Sequence, residues 1–225
     1  MAGTQSTGQC ELCGKTFNKA AMTRHLQSCT AAAKSSRAAG SRGAGAAQAF
    51  HLVVEGRYLP DYWLHLEAAA GSTLEDVDGF LRRIWLECCG HMSAFTIGAA
   101  SYSSGGFGGD DDLFDESMDI PLGQVLQPGS KLKYEYDFGS TTDLLLKVVG
   151  VRPAESKRHY VKLLARNLPP PIPCDACQQP ATQVCTECPE DGWLCDACVE
   201  THECSEEMRL PVVNSPRVGV CGYTG

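Results

Sequence analysis

Apolar and polar positions alternate through Leu132, Tyr134, Tyr136 and Phe138 against Lys131, Lys133, Glu135 and Asp137, and this period of two predicts the clearest strand of the chain. Gly139-Ser140-Thr141 turns it, and Leu144, Leu146 and Val148 bring it back as a hairpin. A first hairpin is predicted upstream. Phe50, Leu52 and Val54 alternate with His51, Val53 and Glu55; after a turn at Tyr58–Asp61, Tyr62, Leu64 and Leu66 alternate with Trp63, His65 and Glu67. Between the hairpins the period lengthens. Leu74, Val77, Leu81, Ile84, Trp85 and Cys88 recur at helical spacing behind a capping box read as Ser72-x-x-Glu75, and Gly90 stops the helix. Phe95-Thr96-Ile97 reads as a short strand, Ser101–Asp119 as a glycine-rich acidic loop, and Leu122–Leu126 as one helical turn before Pro128-Gly129. Two hairpins around one amphipathic helix predict an α+β, β-grasp-like central domain with the helix packed across the sheet.

The flanks carry chemistry instead of periodicity. Between Cys174 and Cys204 lie seven cysteines and one histidine in four pairs: Cys174 with Cys177, Cys185 with Cys188, Cys195 with Cys198, and His202 with Cys204. A Cys-x2-Cys turn points two thiolates at one place, and two such pairs complete a tetrahedral zinc shell, so eight ligands make two shells. The spacing resembles B-box-type zinc cross-braces, with Cys in place of some His ligands. That resemblance implies one shell of Cys174, Cys177, Cys195 and Cys198 and another of Cys185, Cys188, His202 and Cys204. A sequential arrangement, first pair with second and third with fourth, is the alternative. Near the amino terminus, Cys10 and Cys13 are followed by His25 and Cys29, four apart and on one side of a helix. Phe17, Met22 and Leu26 supply a small core. The Cys-x2-Cys-x3-Phe start resembles the ββα zinc-finger family, with Cys29 replacing the second His and the loop one residue short.

The expected organisation is a zinc finger at 1–30, a flexible Ala/Gly/Ser tether at 31–48 that leaves the finger a separate unit, the α+β domain at 49–168 and the cross-brace with an extended tail at 169–225. About three zinc ions per chain follow. A disulfide framework is the competing use of these cysteines and belongs to oxidising compartments. The start Met-Ala-Gly-Thr-Gln-Ser-Thr-Gly has neither basic nor apolar signal-peptide regions, and no apolar run reaches membrane-spanning length. A reducing compartment, most simply the cytoplasm, is expected. Cys88 reads as a core residue; Cys89 and Cys221 read as free thiols or a redox pair, with Cys221 also a substitute ligand for Cys204.

The net charge of −8 is uneven. Residues 1–50 carry six basic residues against one acid, residues 51–168 carry 11 against 17, and residues 169–225 carry two against nine. Only the amino-terminal piece has the sign that suits nucleic acid, through Lys15, Lys19 and Arg24. One finger covers about three base pairs, so phosphate contacts there would be weak and salt-sensitive.

The Tyr/Phe-x-Leu-x-Val strand, Thr73-Leu-x-x-Val77 helix, Ser93-x-Phe-x-Ile97 strand and Tyr134-Glu-Tyr-Asp-Phe-Gly139 together resemble the Ri-plasmid Orf-three-like family over residues 49–152. Its members are often labelled insertion-element passenger proteins with a resolvase-like name (TnpR-like). Many continue the Tyr-Asp-Phe-Gly stretch with Asp, Trp and His, where this chain has Ser140-Thr-Thr-Asp143. The run Leu210–Tyr223 resembles tails that follow zinc modules in archaeal and bacterial relatives.

Candidate catalytic groups are Asp137, the acidic loop (Asp110–Asp112, Asp115, Glu116) and His51, His65, His91 and His159. A metal-dependent hydrolase or nuclease would need several to converge, and no nucleophile elbow, phosphate loop or resolvase-type serine is present. The expectation is a non-catalytic interaction protein with structural zinc and a protein partner. Nucleic-acid association through residues 1–48, possible linkage to mobile elements included, is the alternative, and an enzyme the third reading.

Overall fold

The computed structural model describes residues 6–37, 47–104, 115–154, 158–188 and 192–225. Two short strands, β1 (Thr7–Cys10) and β2 (Thr16–Asn18), lead into a helix, α1 (Lys19–Arg37). The first expected hairpin is β3 (Gln48–Gly56) and β4 (Trp63–Ala69). The helix α2 (Leu74–Leu81) passes into a single π-helical turn, Arg82–Leu86. Next come β5 (Ser93–Ile97), β6 (Ala100–Ser103), β7 (Asp115–Ser117) and the one-turn α3 (Leu122–Val125). The second hairpin is β8 (Lys131–Tyr136) and β9 (Thr142–Pro153), and β10 (Val161–Asn167) closes the central part. The carboxy-terminal module holds β11 (Gln183–Cys185), β12 (Trp193–Leu194), α4 (Asp196–Val199) and β13 (Arg209–Pro211).

The molecule is mixed α+β and mostly sheet. Ten strands form one sheet in the order β2-β1-β10-β4-β3-β9-β8-β5-β6-β7, and a small sheet has the order β12-β11-β13. Among the described pairings, β6 with β7 alone is parallel. Leu52, Val54, Leu64, Leu66, Leu132, Tyr134, Leu144 and Leu146 turn one face of the large sheet toward Leu74, Val77, Leu81 and Trp85 of the helix, and all are buried. Each fully buried side chain of this size contributes roughly 1.5–3 kcal/mol of transfer free energy, and this cluster is the main core.

The structure corrects four readings. The capping box sits one residue later: the Thr73 hydroxyl accepts from Asp76 N–H, and the Asp76 carboxylate accepts from Thr73 N–H. Ser72 instead bonds across to Tyr160, accepting from its N–H and donating to its carbonyl. The amino-terminal unit is not separate. Strand β1 pairs with β10, and Met22 and Leu26 share a buried cluster with Trp63, Leu164 and Ala165. Helix α1 also runs on to Arg37, into the expected tether. Finally, β8 stops at Tyr136, so Phe138 is exposed rather than continuing the buried row. The cause is Asp137, whose φ of 65° puts it in the left-handed region and breaks the alternation.

Candidate metal centres

The amino-terminal turn is built by Gly14, at φ 72°, which lets its N–H reach the Cys10 carbonyl (2.8 Å) while Cys10 N–H donates to Lys15 (2.9 Å). Helix α1 then brings His25 and Cys29 over that turn. His25 Nε2 lies 3.3 Å from Cys13 Sγ, and its ring stacks on Phe17 at 4.4 Å. Cys10, Cys13, His25 and Cys29 place one donor atom each within 4.8 Å of one another.

In the carboxy-terminal module the first and third pairs converge, and so do the second and fourth. Cys174, Cys177, Cys195 and Cys198 form one group; Cys185, Cys188, His202 and Cys204 form the other. Gln178, at φ 64°, tightens the first turn, and Cys195 caps α4 so that Cys198 sits one turn along. Gly192 lies so close to the carbonyls of Cys185 and Cys188 that an added Cβ would fall 2.7 Å and 2.5 Å from their oxygens. Arg209 of β13 fastens the last pair by donating to the carbonyls of Cys204 (2.6 Å) and His202 (3.3 Å).

A tetrahedral ion with metal–sulfur bonds of about 2.3 Å holds its sulfurs about 3.8 Å apart. Cys177 and Cys195 stand 3.5 Å apart, and Cys188 and Cys204 3.6 Å apart, so the donor sets fit such an ion. Their protonation follows from the same crowding. Burial opposes ionisation of Cys174, but the backbone N–H groups of Cys195, Cys177 and Ala176 outweigh it and bring its pKa down to about 6. The neighbouring Cys177, Cys195 and Cys174 push Cys198 up to about 12, and Cys204 chiefly does the same to Cys188. Clustered thiols resist joint ionisation unless a cation sits among them.

Sequence reasoning missed a fourth group, Cys88, Cys89, His91 and Cys221. Its signal was the local Cys-Cys-x-His run, but the fourth member lies 130 residues away and was assigned to other uses. Cys221 sits with this group and not beside Cys204.

The candidate catalytic groups do not converge on one site, although His91 and Asp137 lie 3.5 Å apart. His51 and His65 face each other inside the sheet, Nε2 to Nδ1 at 2.9 Å; burial lowers their pKa values to about 3 and about 4. His159 is exposed and lies 3.5 Å from Asp76. Asp115 and Glu116 lie on β7, and Asp110–Asp112 fall outside the described residues. Asp137 is buried although it belongs to the polar row of the alternation. It is 5% exposed and receives Arg217 Nη2 at 2.7 Å. Burial would raise its pKa, but that guanidinium and the N–H groups of Ser140 and Gly139 lower it. Of the basic residues in the finger, Lys15 and Arg24 are exposed, whereas Lys19 pairs with Glu55 and reaches the Pro60 carbonyl. No helix among the described residues is long and apolar enough to cross a membrane.

The fold and these sites together define a sheet-rich α+β protein with Cys/His quartets able to hold metal ions. The family model described as plasmid pRiA4b ORF-3-like protein matches residues 56–178, more than half of the chain, and the chain belongs to that family. Among solved structures, a protein of unknown function from Methanosarcina mazei Go1 is similar at 14% identity and a TM-score of 0.45, over 53% of this chain and 69% of that one. No curated protein matches the chain significantly.

Proposed function

We propose that this protein is a zinc-binding, non-catalytic interaction protein whose metal sites are structural. The observation that carries the reading is the completeness of the donor sets. Each of the three predicted quartets brings four protein donors to one point, the arrangement of closed zinc sites, whereas catalytic zinc keeps one position for water or substrate. In the cross-brace the ligands come from the Cys174 turn, the end of β11, α4 and the segment before β13, so a pair of ions would define a module whose described residues hold three short strands and one helical turn. The finer architecture we read as a small ββα finger, a β-grasp-like central layer and a two-zinc cross-brace. All-thiolate and three-thiolate shells suit a reducing compartment, and the cytoplasm is the setting we propose. Exposed Tyr58, Leu59 and Phe138 offer apolar points of contact for a protein partner.

Nucleic-acid association has thinner support, because Lys19 is engaged within the protein and the remaining basic residues of the finger are few. Replacement of zinc by cobalt tests the structural reading. The expected spectrum is that of tetrahedral thiolate-rich cobalt, unchanged by azide. An azide-dependent change in the visible bands would reveal an open coordination position and overturn the non-catalytic assignment.

A further inference from the structure

The geometry points to a fourth zinc site, formed by Cys88, Cys89, His91 and Cys221, which clasps the carboxy-terminal tail to the end of the central helix. Its four donor atoms lie within 4.8 Å of one another, as in the other three quartets. Cys89 Sγ is 3.7 Å from Cys88 Sγ and 3.8 Å from Cys221 Sγ, the separation of about 3.8 Å that a tetrahedral zinc imposes on its sulfurs. His91 Nε2 completes the set, 2.8 Å from Cys89 Sγ and 3.2 Å from Cys221 Sγ.

The backbone is shaped to bring these atoms together. The helix unwinds through the π-turn at Arg82–Leu86, and Gly90, at φ 75°, reverses the chain so that His91 returns toward the two cysteines. Cys221 itself holds φ 50° between Gly219 (φ 76°) and Gly222 (φ 68°). A non-glycine residue in this region is uncommon and persists where the surroundings over-determine it. Tyr223 N–H closes the turn on the Val220 carbonyl (3.0 Å), with Cys221 and Gly222 as its two left-handed residues, and that turn holds the Cys221 thiol toward Cys89 and His91.

An outer shell is already in place. Arg217 Nη2 donates to Cys88 Sγ (3.4 Å) and is itself held by Asp137 Oδ2 (2.7 Å). A guanidinium beside a thiolate ligand offsets the excess negative charge of a three-thiolate shell. Ser215 donates to the Trp85 carbonyl at 2.6 Å, which sets the tail on course toward the helix end. The disulfide alternative, Cys89 with Cys221, would use only two of the four donors.

The site shares with the proposed function only the identity of the metal, and one measurement separates the two. Zinc per chain is determined under reducing conditions by elemental analysis and native mass spectrometry, for the wild type, Cys221→Ser and His91→Ala. Four ions in the wild type and three in both variants are the expected result. Hydrogen exchange of residues 218–224 should rise in the variants while residues 174–204 keep their protection. Three ions in all three proteins would overturn the fourth site and leave the structural-zinc reading standing; no zinc at all would sink both. Should one variant fold poorly, selective protection of Cys89 and Cys221 from alkylation in the wild type, lost on chelation, decides the same point. Free-thiol reactivity before chelation counts against the clasp.

Discussion

Asp137 and Arg217 meet in the interior although they lie 80 residues apart. Arg217 is fully buried; it also donates to the Ser140 carbonyl (3.1 Å) and Thr142 hydroxyl (3.0 Å), and its guanidinium lies 4.8 Å from the Tyr136 ring. Removing one member of such a pair strands a buried charge, which costs roughly 3–5 kcal/mol, more than the intact pair contributes. Arg217→Met should therefore lower stability by about 3 kcal/mol in urea unfolding, and adding Asp137→Asn should recover part of that loss. An additive double variant would mean that the two side chains act independently. The buried histidines make a second prediction. His51 and His65 have pKa values lowered to about 3 and about 4, while the unfolded chain titrates near the ordinary value of about 6.5. Their contribution is complete above that value and is lost as pH falls from there toward the folded values, at up to ~1.4 kcal/mol per pH unit for each. Comparison of urea midpoints at about pH 7 and about pH 5.5 should show a smaller loss in the His51→Gln/His65→Gln variant than in the wild type. Equal losses would assign the acid sensitivity elsewhere. The Asp137–Arg217 pair was not legible in the sequence, because alternation says nothing of a left-handed residue or a partner 80 positions away; His51 and His65 were placed on one face of the first hairpin, but not as a buried pair.

At the level of elements, the docking of β1 on β10 depends on one missing side chain. A Cβ on Gly8 would fall 2.7 Å from Trp63 Cζ2 and press on the Arg166 carbonyl. Gly8→Val should part the amino-terminal unit from the sheet edge, seen as faster hydrogen exchange at Leu164–Asn167 and a red-shifted Trp63 emission. Unchanged exchange there would show that the indole yields instead. The elements read most plainly were those with a regular period: β3, β4, β8, the start of β9 and α2 all lie where the alternation placed them. Strand β10 escaped notice because Val161–Asn167 has no clean alternation, and its burial comes from β1 and β4 on its two sides. The metal quartets were legible for the opposite reason. Their ligands come in pairs two to four residues apart, a local signal that survives without any knowledge of the fold. Cys221, with no partner nearby in sequence, lacked that signal.

Across the whole molecule, the three quartets legible in the sequence lie apart from the main core, whereas Cys88 of the fourth packs against it. Among the described residues the buried core cluster of the large sheet contains none of the twelve ligands predicted from the sequence, whereas the cross-brace surrounds two quartets with three short strands and one helical turn. Chelation under reducing conditions should therefore remove exchange protection from residues 174–211 while amides of β3, β4 and β8 stay protected. Loss of all protection in a single step would mean that the ions hold the central sheet as well. The tail complicates this division. It leaves β13, binds Asn167 through Asn214 (2.7 Å and 2.8 Å), and passes beneath Trp85 to Arg217.

That route has a temporal consequence. A ribosome delivers residues 131–148 long before it delivers residue 217, so the hairpin of β8 and β9 first forms with Asp137 lacking its cation. Closing so long a loop is slow relative to local hairpin and helix formation. The central sheet thus emerges in a provisional state, open at Tyr136 and Asp137, and the later-made stretch around Arg217 is the piece that seals it.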